Sequence, residues 1–191
     1  RGYMHKNQNP TSTFRGIIAA SLAGFIARPN GDIDWLTDAI PGPNHTPPTS
    51  SHRALDWDTF YPGVDHLVMG RGTYEKVLTF GQWPYTGKTV IVLSTTLTAD
   101  DPNIVIAPTL DDALHALQSG AARQVYVDGG QVIQTFLRQG LIDEITIGWA
   151  PVLIGQGLAL FGPLNQDIQL ALTSTHASDS GMVHATYRVH R

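Results

Sequence analysis

The sequence contains no cysteine. This excludes disulfides, thiolate nucleophiles and zinc sites built from cysteine, although it does not identify a compartment. Long apolar runs are also missing, because the longest candidate, residues 17–26, is about half of the ~20 residues that a membrane-spanning helix needs. We find no targeting segment either. We therefore expect a cytoplasmic protein with no membrane partner.

Basic residues are few and scattered. The chain has 12 Lys and Arg against 16 Asp and Glu, a formal net charge of −4 and a pI of about 6.0, with no run of Lys or Arg. Proteins that bind nucleic acids carry a basic patch, so we expect no nucleic-acid partner. The eight histidines form no H-E-x-x-H motif and no close cluster, and we assign no metal.

The hydrophobic content is sufficient for one domain. At 191 residues and 42% hydrophobic, the chain can bury one sizeable core, and we expect a single domain over residues 14–191. Residues 1–13 are polar and are predicted to form a flexible N-terminal segment. Met4 is a candidate native start within it, which would make the three preceding residues an addition from cloning.

Strand-like and helix-like segments alternate over most of the chain. A first strand is predicted through Ala20, with a turn at Gly24 and a second short apolar piece. Residues 39–51 are rich in Pro, Gly, Ser and Thr, which predicts a loop that leads into a helix capped by Thr49 or Ser50. From there on the predicted order is HLVMG strand, RGTYEKVLTF helix, KTVIVLS strand, NIVIA strand, LDDALHALQSG helix, QVYVDGG strand and QVIQTFLRQG helix.

This alternation predicts an α/β fold, a three-layer α/β/α arrangement around a mostly parallel sheet. The C-terminal part differs, because DEITIGWAPVL, IQLALTSTHAS and MVHATYRVHR are strand-like with no helix between them. The residues DSG before the last stretch predict a hairpin turn. The sheet is therefore predicted to be mixed, with an antiparallel hairpin at its end.

Two glycine-containing turns connect a buried strand to a helix, VMGRGTYEK over residues 68–76 and VDGGQVI over residues 127–133. In an open α/β sheet, ligands bind beyond the carboxyl ends of the strands, where helix N-termini offer free N–H groups to anions. Either turn alone is explained more simply by the backbone freedom of glycine. Their joint occurrence, with Arg71 in one turn and VLSTT at the end of another strand, favours an anionic ligand. Neither turn, nor GQGLALFG, is a Walker loop or a G-x-G-x-x-G fingerprint.

In order and spacing, MGRGTYE, KTVIVLSTT, VYVDGG and GLIDEITIGWAPVLIGQGLALF resemble the dihydrofolate reductase-like family. The chain is most similar to the reductase domain of the bacterial riboflavin-biosynthesis deaminase-reductase and its stand-alone relatives. The resemblance implies a reduced nicotinamide cofactor, NADPH with NADH possible, a small-molecule substrate and a homodimer. It also implies an unusual peptide bond at the Gly-Gly turn.

Carried over position by position, the resemblance implies a set of cofactor-binding residues. The phosphates would be met by the first glycine turn, the adenosine ribose by the end of IVLS, the diphosphate and nicotinamide side by the second turn, and the nicotinamide by two flanking residues. In that order the residues are Gly70, Arg71, Gly72 and Thr73; Ser94, Thr95 and Thr96; Asp128, Gly129, Gly130, Gln131, Val132 and Ile133; and Ala20 and Ile26.

The sequence departs from the family pattern at two positions. Ala23 replaces an Asp that relatives carry in SLDGFIA, which affects either the shape of the turn or the activity. Thr95 stands where relatives often carry Arg, whose charge would pair with a 2′-phosphate. Arg71 would then supply that charge alone, and this weakens the case for NADPH over NADH.

Hydride transfer needs few catalytic side chains, and the candidates lie in the loop GDIDWLTD. Asp34 beside Trp35 could have a raised pKa and donate a proton, or it could cap a short helix while Trp35 is core. Candidate substrate contacts are Asp38, Phe60 and Leu153. The alternatives are a core or dimer contact for Phe60 and a place at the subunit interface for Leu153. We interpret the chain as an NAD(P)H-dependent reductase acting on a pterin, a riboflavin precursor or a related carbonyl or imine compound. The alternatives are a non-catalytic dinucleotide-binding protein and a scaffold that binds no nucleotide.

Overall fold

The computed structural model describes residues 12–37 and 60–190. The predicted loop over residues 39–51 and the candidate substrate residue Asp38 lie outside this part. The helix predicted after that loop also lies outside it, apart from Phe60.

The predicted order of strands and helices is confirmed to within a few residues at each end. The helices are α1 (Asp34–Thr37), α2 (Arg71–Leu78), α3 (Leu110–Ser119) and α4 (Gly130–Arg138), with a short 3-10 helix at Tyr61–Gly63. The strands are β1 (Thr13–Ser21), β2 (Phe25–Ala27), β3 (His66–Gly70), β4 (Thr89–Leu93), β5 (Ile104–Ala107), β6 (Gln124–Asp128), β7 (Glu144–Ala150), β8 (Leu158–Ala159), β9 (Leu170–Ala177) and β10 (Val183–Val189).

Eight strands form one mixed sheet in the order β5-β4-β3-β6-β1-β7-β10-β9. The pairs from β5 through β1 are parallel, whereas β10 is antiparallel to both β7 and β9. The predicted fold class is therefore confirmed, including its antiparallel end. β2 and β8 form a separate antiparallel pair, which the sequence did not predict because β8 has only two residues.

The described chain divides into two compact units. One contains residues 12–16 and 61–142, and the other contains residues 17–37, residue 60 and residues 143–190. β1 begins in the first unit and ends in the second. The prediction of a single domain stays a prediction.

The core of the first unit contains buried apolar residues on β3, β4 and β6, most of them β-branched. Apolar residues on both faces of a strand are typical of parallel sheets covered by helices. Helix α4 buries Ile133 and Phe136, and the Phe136 ring lies 5.7 Å from that of Phe14. The fully buried strand residues are Leu67, Val68, Met69, Val90, Ile91, Val92, Val125 and Val127.

Polar contacts connect the starts of β3 and β6 in the same unit. The Asp65 carboxylate accepts the backbone N–H of Gln124 at 2.8 Å and that of Arg123 at 3.1 Å. The His66 Nδ1 lies 2.5 Å from the same carboxylate. A carboxylate that accepts several N–H groups fixes local backbone geometry, so this edge of the sheet is held by its own side chains.

Two residues of the predicted N-terminal segment, Ser12 and Thr13, lie in the described part of the chain. Ser12 and Thr13, expected to be flexible, are ordered because the Ser12 hydroxyl donates to the Ala122 carbonyl at 2.5 Å and the Thr13 N–H donates to the Arg123 carbonyl at 2.7 Å. Residues 1–11 lie outside the described part.

The second unit has a smaller apolar cluster. Trp35, Ala150 and Ile154 are buried together, with Phe25 and Met182 packed against them. The hairpin turn predicted between β9 and β10 is confirmed, since the Gly181 N–H donates to the Ser178 carbonyl at 3.0 Å.

The glycines of GQGLALFG also belong to the second unit. A Cβ on Gly157 would lie 2.3 Å from the Ala27 carbonyl oxygen. This glycine therefore permits close packing of β8 against β2 and needs no phosphate to explain it.

Candidate functional site

The carboxyl ends of β4, β3 and β6 lie side by side at one edge of the first unit. In the parallel ladders Gly70 is level with Leu93, and Met69 is level with Asp128. The two glycine turns and the Ser94–Thr96 segment follow directly from these strand ends. The structure therefore brings together all of the predicted cofactor residues that belong to this unit, namely Gly70, Arg71, Gly72, Thr73, Ser94, Thr95, Thr96, Asp128, Gly129, Gly130, Gln131, Val132 and Ile133.

Helices α2 and α4 begin at this edge without side-chain caps. Their N-cap residues are Gly70 and Gly129, neither end has a side-chain cap hydrogen bond, and neither helix has an acidic residue in its first turn. The first N–H groups of a helix have no partner within the helix and carry the positive end of its dipole. Both ends are thus available to an anion.

The backbone at Gly129 requires glycine. Its φ is +99°, and an added Cβ would lie 2.7 Å from Thr73 Oγ1. By contrast, Gly70 has φ −82° and ψ 169°, its Cβ would meet only Val132 Cγ2 at 3.5 Å, and a Cβ on Gly72 would meet nothing within 4 Å. The unusual peptide bond expected at the Gly-Gly turn is not found as a cis bond, because the described residues contain no cis peptide bond. The positive φ of Gly129 makes the turn instead.

Arg71 extends across the edge from α2 to the end of β4. Its Nε donates to Glu75 Oε1 at 2.8 Å, and its Nη1 donates to Thr96 Oγ1 at 2.6 Å. The Ser94 hydroxyl accepts the N–H groups of Thr96 and Leu97, at 3.2 and 3.1 Å. A guanidinium therefore lies beside a loop that carries three hydroxyl side chains.

The side chain of Asp128 lies between two tyrosines. Its Oδ1 is 3.3 Å from the Tyr126 hydroxyl, and its Oδ2 is 3.5 Å from the Tyr85 hydroxyl. Burial raises the pKa of Asp128 to about 6, and it does so against the opposing effect of these hydroxyls and of the Gly129 N–H. The pKa values of both tyrosines are also raised, first by burial and then by the Asp128 charge. A carboxyl group is thus kept partly protonated near neutral pH.

Aromatic side chains extend away from Asp128 in the same unit. The Tyr85 ring lies 5.3 Å from Trp83 in an edge-to-face contact and 6.3 Å from Tyr61, and Trp83 contacts Tyr74 at 6.1 Å. The Lys88 ammonium lies 4.4 Å from the centre of the Tyr61 ring. Sequence reasoning missed Tyr85 and Tyr126, although the Trp and Tyr of QWPYTGK were a signal of an aromatic cluster.

The pKa predicted for Asp34 is wrong. Asp34 is exposed at the start of α1, and its Oδ1 accepts from Arg28 Nε at 2.6 Å. This hydrogen bond to a cation lowers the pKa of Asp34 instead of raising it. Asp34 is therefore an ionised surface carboxylate, and its catalytic role stays a prediction without this support.

The remaining predicted site residues belong to the second unit. Trp35 is buried, and its Nε1 has no hydrogen-bond partner. Ala20 and Phe60 are buried and Ile26 is partly buried, whereas Leu153 is 74% exposed. The nicotinamide role of Ala20 and Ile26 and the substrate role of Phe60 and Leu153 stay predictions.

Two further observations concern other kinds of site. Within residues 12–37 and 60–190, no three His, Asp or Glu side chains are arranged to share a metal ion. In that same part of the chain, no helix is both long and apolar enough to cross a membrane.

Known proteins are similar to this chain in sequence and in architecture. The profile of the RibD C-terminal domain matches residues 17–184. The uncharacterized protein YwjB of Bacillus subtilis (strain 168) is 32% identical over 163 residues, covering 83% of this chain and 87% of YwjB. A protein of Shewanella sp. PV-4, provisionally assigned to riboflavin biosynthesis, has a crystal structure that is 34% identical with a TM-score of 0.78 over 94% of this chain and 99% of its own.

A more distant structure has the same fold. Dihydrofolate reductase from Enterococcus faecalis, solved with NADP(H), is 16% identical with a TM-score of 0.61, covering 95% of this chain and 98% of its own. At this identity the likeness concerns the fold alone.

Proposed function

Because the chain belongs to the RibD C-terminal domain family, we propose that it is an NAD(P)H-dependent reductase. Its substrate is a small heterocycle or a carbonyl or imine compound of pterin or riboflavin-precursor type. The family membership and the dihydrofolate reductase-like fold support the reaction class. The single observation that carries the proposal is the meeting of two uncapped helix N-termini with Arg71 and three hydroxyl side chains at one sheet edge.

The donors at this edge fit a dinucleotide. A diphosphate would accept the first N–H groups of α2 and α4, and the adenosine ribose would lie against Ser94, Thr95 and Thr96. Gly129 has a φ of +99°, and an added Cβ would lie 2.7 Å from Thr73 Oγ1, so only glycine fits there and no side chain covers the main chain at the start of α4. When bound, the reduced nicotinamide supplies the hydride.

Asp128 is the proton donor that we propose in place of Asp34. With a pKa of about 6, about half of its carboxyl groups carry a proton at pH 6 and about one-tenth at pH 7. The Tyr85 and Tyr126 hydroxyls stabilise the carboxylate left after proton transfer, because each can donate a hydrogen bond to it. The chain itself thus supplies, beside the glycine turn, a carboxyl group that can carry a proton at weakly acidic pH.

A turnover assay tests the proposed reaction. Absorbance at 340 nm follows NADPH and NADH oxidation against a panel of dihydropterins and ribosylamino-pyrimidines. We expect at least one compound to be reduced, with a rate that needs Asp128. If calorimetry detects binding of neither NADPH nor NADH, the proposal is contradicted.

The second candidate is a dinucleotide-binding protein without catalysis. The ion pair between Arg28 and Asp34 favours it, because it removes one predicted acid from the reaction. Ala23, exposed between β1 and β2 in place of the family Asp, points the same way. Tight cofactor binding with no oxidation across the whole panel would support this function.

We also propose that the chain forms a homodimer. Several large apolar side chains are exposed on the terminal hairpin of the second unit, and a second copy would shield them. These are Leu170, Leu172 and Val183. Light scattering after size exclusion measures the mass, for which a dimer is expected and a monomer would contradict the proposal.

A further inference from the structure

The guanidinium of Arg71 is held on two sides. Glu75 accepts from Nε on one edge, and Thr96 accepts from Nη1 on another. An arginine side chain has five N–H donors, so the remaining donors on Nη1 and Nη2 are left for an oxyanion. The arginine and glutamate side chains are about half exposed, at 52% and 48%. The fork is therefore oriented in advance and open to solvent.

The hydroxyl groups next to this fork belong to the loop after β4. Ser94 holds the loop by accepting two backbone N–H groups, and the side chains of Thr95 and Thr96 are exposed. Under the proposed function, the adenosine ribose lies against this loop. NADPH and NADH differ only in the phosphate on the 2′-oxygen of that ribose, so the surroundings of Arg71 decide between them.

Resting on that proposed function, we infer that Glu75 limits the preference of this site for a 2′-phosphorylated dinucleotide. Its carboxylate occupies one edge of the only fork that faces the loop hydroxyls in the described structure, and it adds a negative charge beside the position of the 2′-phosphate. NADH carries no charge there and is not repelled. Glu75 is thus a specificity-determining residue that allows both cofactors to bind.

The size of the effect follows from Coulomb attraction near a surface. A single carboxylate one side chain away from a dianionic phosphate in water lowers its affinity about threefold to tenfold at low salt. The effect must decline as salt is added, because exposed charges are screened. Glu75→Gln removes the charge, and the amide oxygen of Gln can still accept from Arg71 Nε, so the fork stays oriented.

The test compares dissociation constants from calorimetry for the wild type, Glu75→Gln and Asp167→Asn. Asp167 is an exposed carboxylate of the second unit, so its variant makes the same change in net charge outside the unit that carries Arg71 and Glu75. Glu75→Gln is expected to bind NADPH about threefold to tenfold more tightly, with NADH unchanged within about twofold. Asp167→Asn is expected to change neither. Adenosine 2′,5′-bisphosphate, compared with AMP, should show the same gain in affinity, although neither compound carries a nicotinamide.

The outcomes separate this inference from the proposed function. An unchanged ratio of NADPH to NADH affinity in Glu75→Gln, or equal gains for both cofactors, would overturn the role of Glu75 while leaving the reductase intact. A gain that persists at about 0.5 M KCl would also overturn it, since screening would then be absent. A wild type that binds neither dinucleotide would overturn the proposed function and this inference together.

Discussion

Three helices of the first unit follow parallel strands at the same edge, and they begin in two different ways. Helix α3 starts with Thr109, whose hydroxyl accepts the Asp112 N–H at 3.1 Å and donates to Asp112 Oδ2 at 2.8 Å. Asp111 and Asp112 place two acids in its first turn. Helices α2 and α4 start with glycine and have neither a side-chain cap nor an acid in the first turn.

The difference shows which helix ends the chain satisfies by itself. A threonine cap with acidic residues in the first turn satisfies free N–H groups and the helix dipole, and such a cap contributes about 1 kcal/mol to stability. α3 therefore has no need of an anion, whereas α2 and α4 leave these groups to water or to a ligand. The two uncapped ends are the ones that lie beside Arg71 and Asp128.

Loss of the Asp128 carboxyl is expected to have the largest effect, because this group belongs to the uncapped end of α4. Asp128→Asn should lower kcat about a hundredfold with little change in the NADPH dissociation constant. The wild-type rate should fall as pH rises above about 6, since the donor loses its proton. Asp34→Asn is the control and should keep both the rate and its pH profile; an equal loss in that variant would contradict the assignment.

Stability should depend on the pH in the same region. The pKa of Asp128 is raised from 3.8 to about 6 in the fold, so the folded state binds more protons than the unfolded state between these values. Stability is then lost as pH rises from about 4 to about 6, by about 2–3 kcal/mol. Urea unfolding at several pH values measures this, and the slope should disappear in Asp128→Asn.

Capping an open helix should have the next largest effect on function. Gly70 has the extended backbone of an N-cap residue, and a Cβ there makes only an ordinary contact. Gly70→Asp should give α2 the kind of start that α3 has, keep or raise the unfolding free energy by up to about 1 kcal/mol, and weaken NADPH binding at least about tenfold. A variant that is equally stable and binds NADPH as well as the wild type would break the comparison.

Adding a side chain at Gly129 should lower the free energy of unfolding. Gly129→Ala combines a positive φ with a contact of 2.7 Å to Thr73 Oγ1, whereas Gly140 has φ +66° and open space around it. We expect Gly129→Ala to cost about 2–3 kcal/mol and the control Gly140→Ala about 1 kcal/mol in urea unfolding. Equal costs would mean that Thr73 yields readily and that the turn is less crowded than described.

The smallest effect is expected at the capped start of α3. Thr109→Ala removes the cap of α3 and should lower the unfolding free energy by about 1 kcal/mol. NADPH affinity should stay within about twofold of the wild type, because this helix end is already satisfied. A loss of affinity beyond that would show that α3 also binds the cofactor.

The fold was largely predictable because its signals are local. Alternating apolar segments, several of them ended by glycine, give strand and helix positions from neighbouring residues alone. The same holds for the uncapped helix ends, since Gly70 and Gly129 precede their helices directly. The two-residue strand β8 has too short a pattern to be recognised.

The electrostatics of the site needed three-dimensional contacts. Tyr85 and Asp128 are 43 positions apart, and nothing in either segment indicates that they meet. A raised pKa was one of two alternatives for Asp34 because Trp35 is its neighbour, but the hydrogen bond from Arg28 lowers the pKa. The pKa of a carboxyl group depends on its burial and on the side chains that the fold brings to it, so it cannot be inferred from the adjacent residues alone.

Amide hydrogen exchange with and without NADPH tests the central claim most directly. The account predicts slower exchange at residues 71–73 and 130–132, the open starts of α2 and α4, and no change at residues 110–112, the capped start of α3. Protection at all three helix starts, or at none of them in a protein saturated with NADPH, would contradict it.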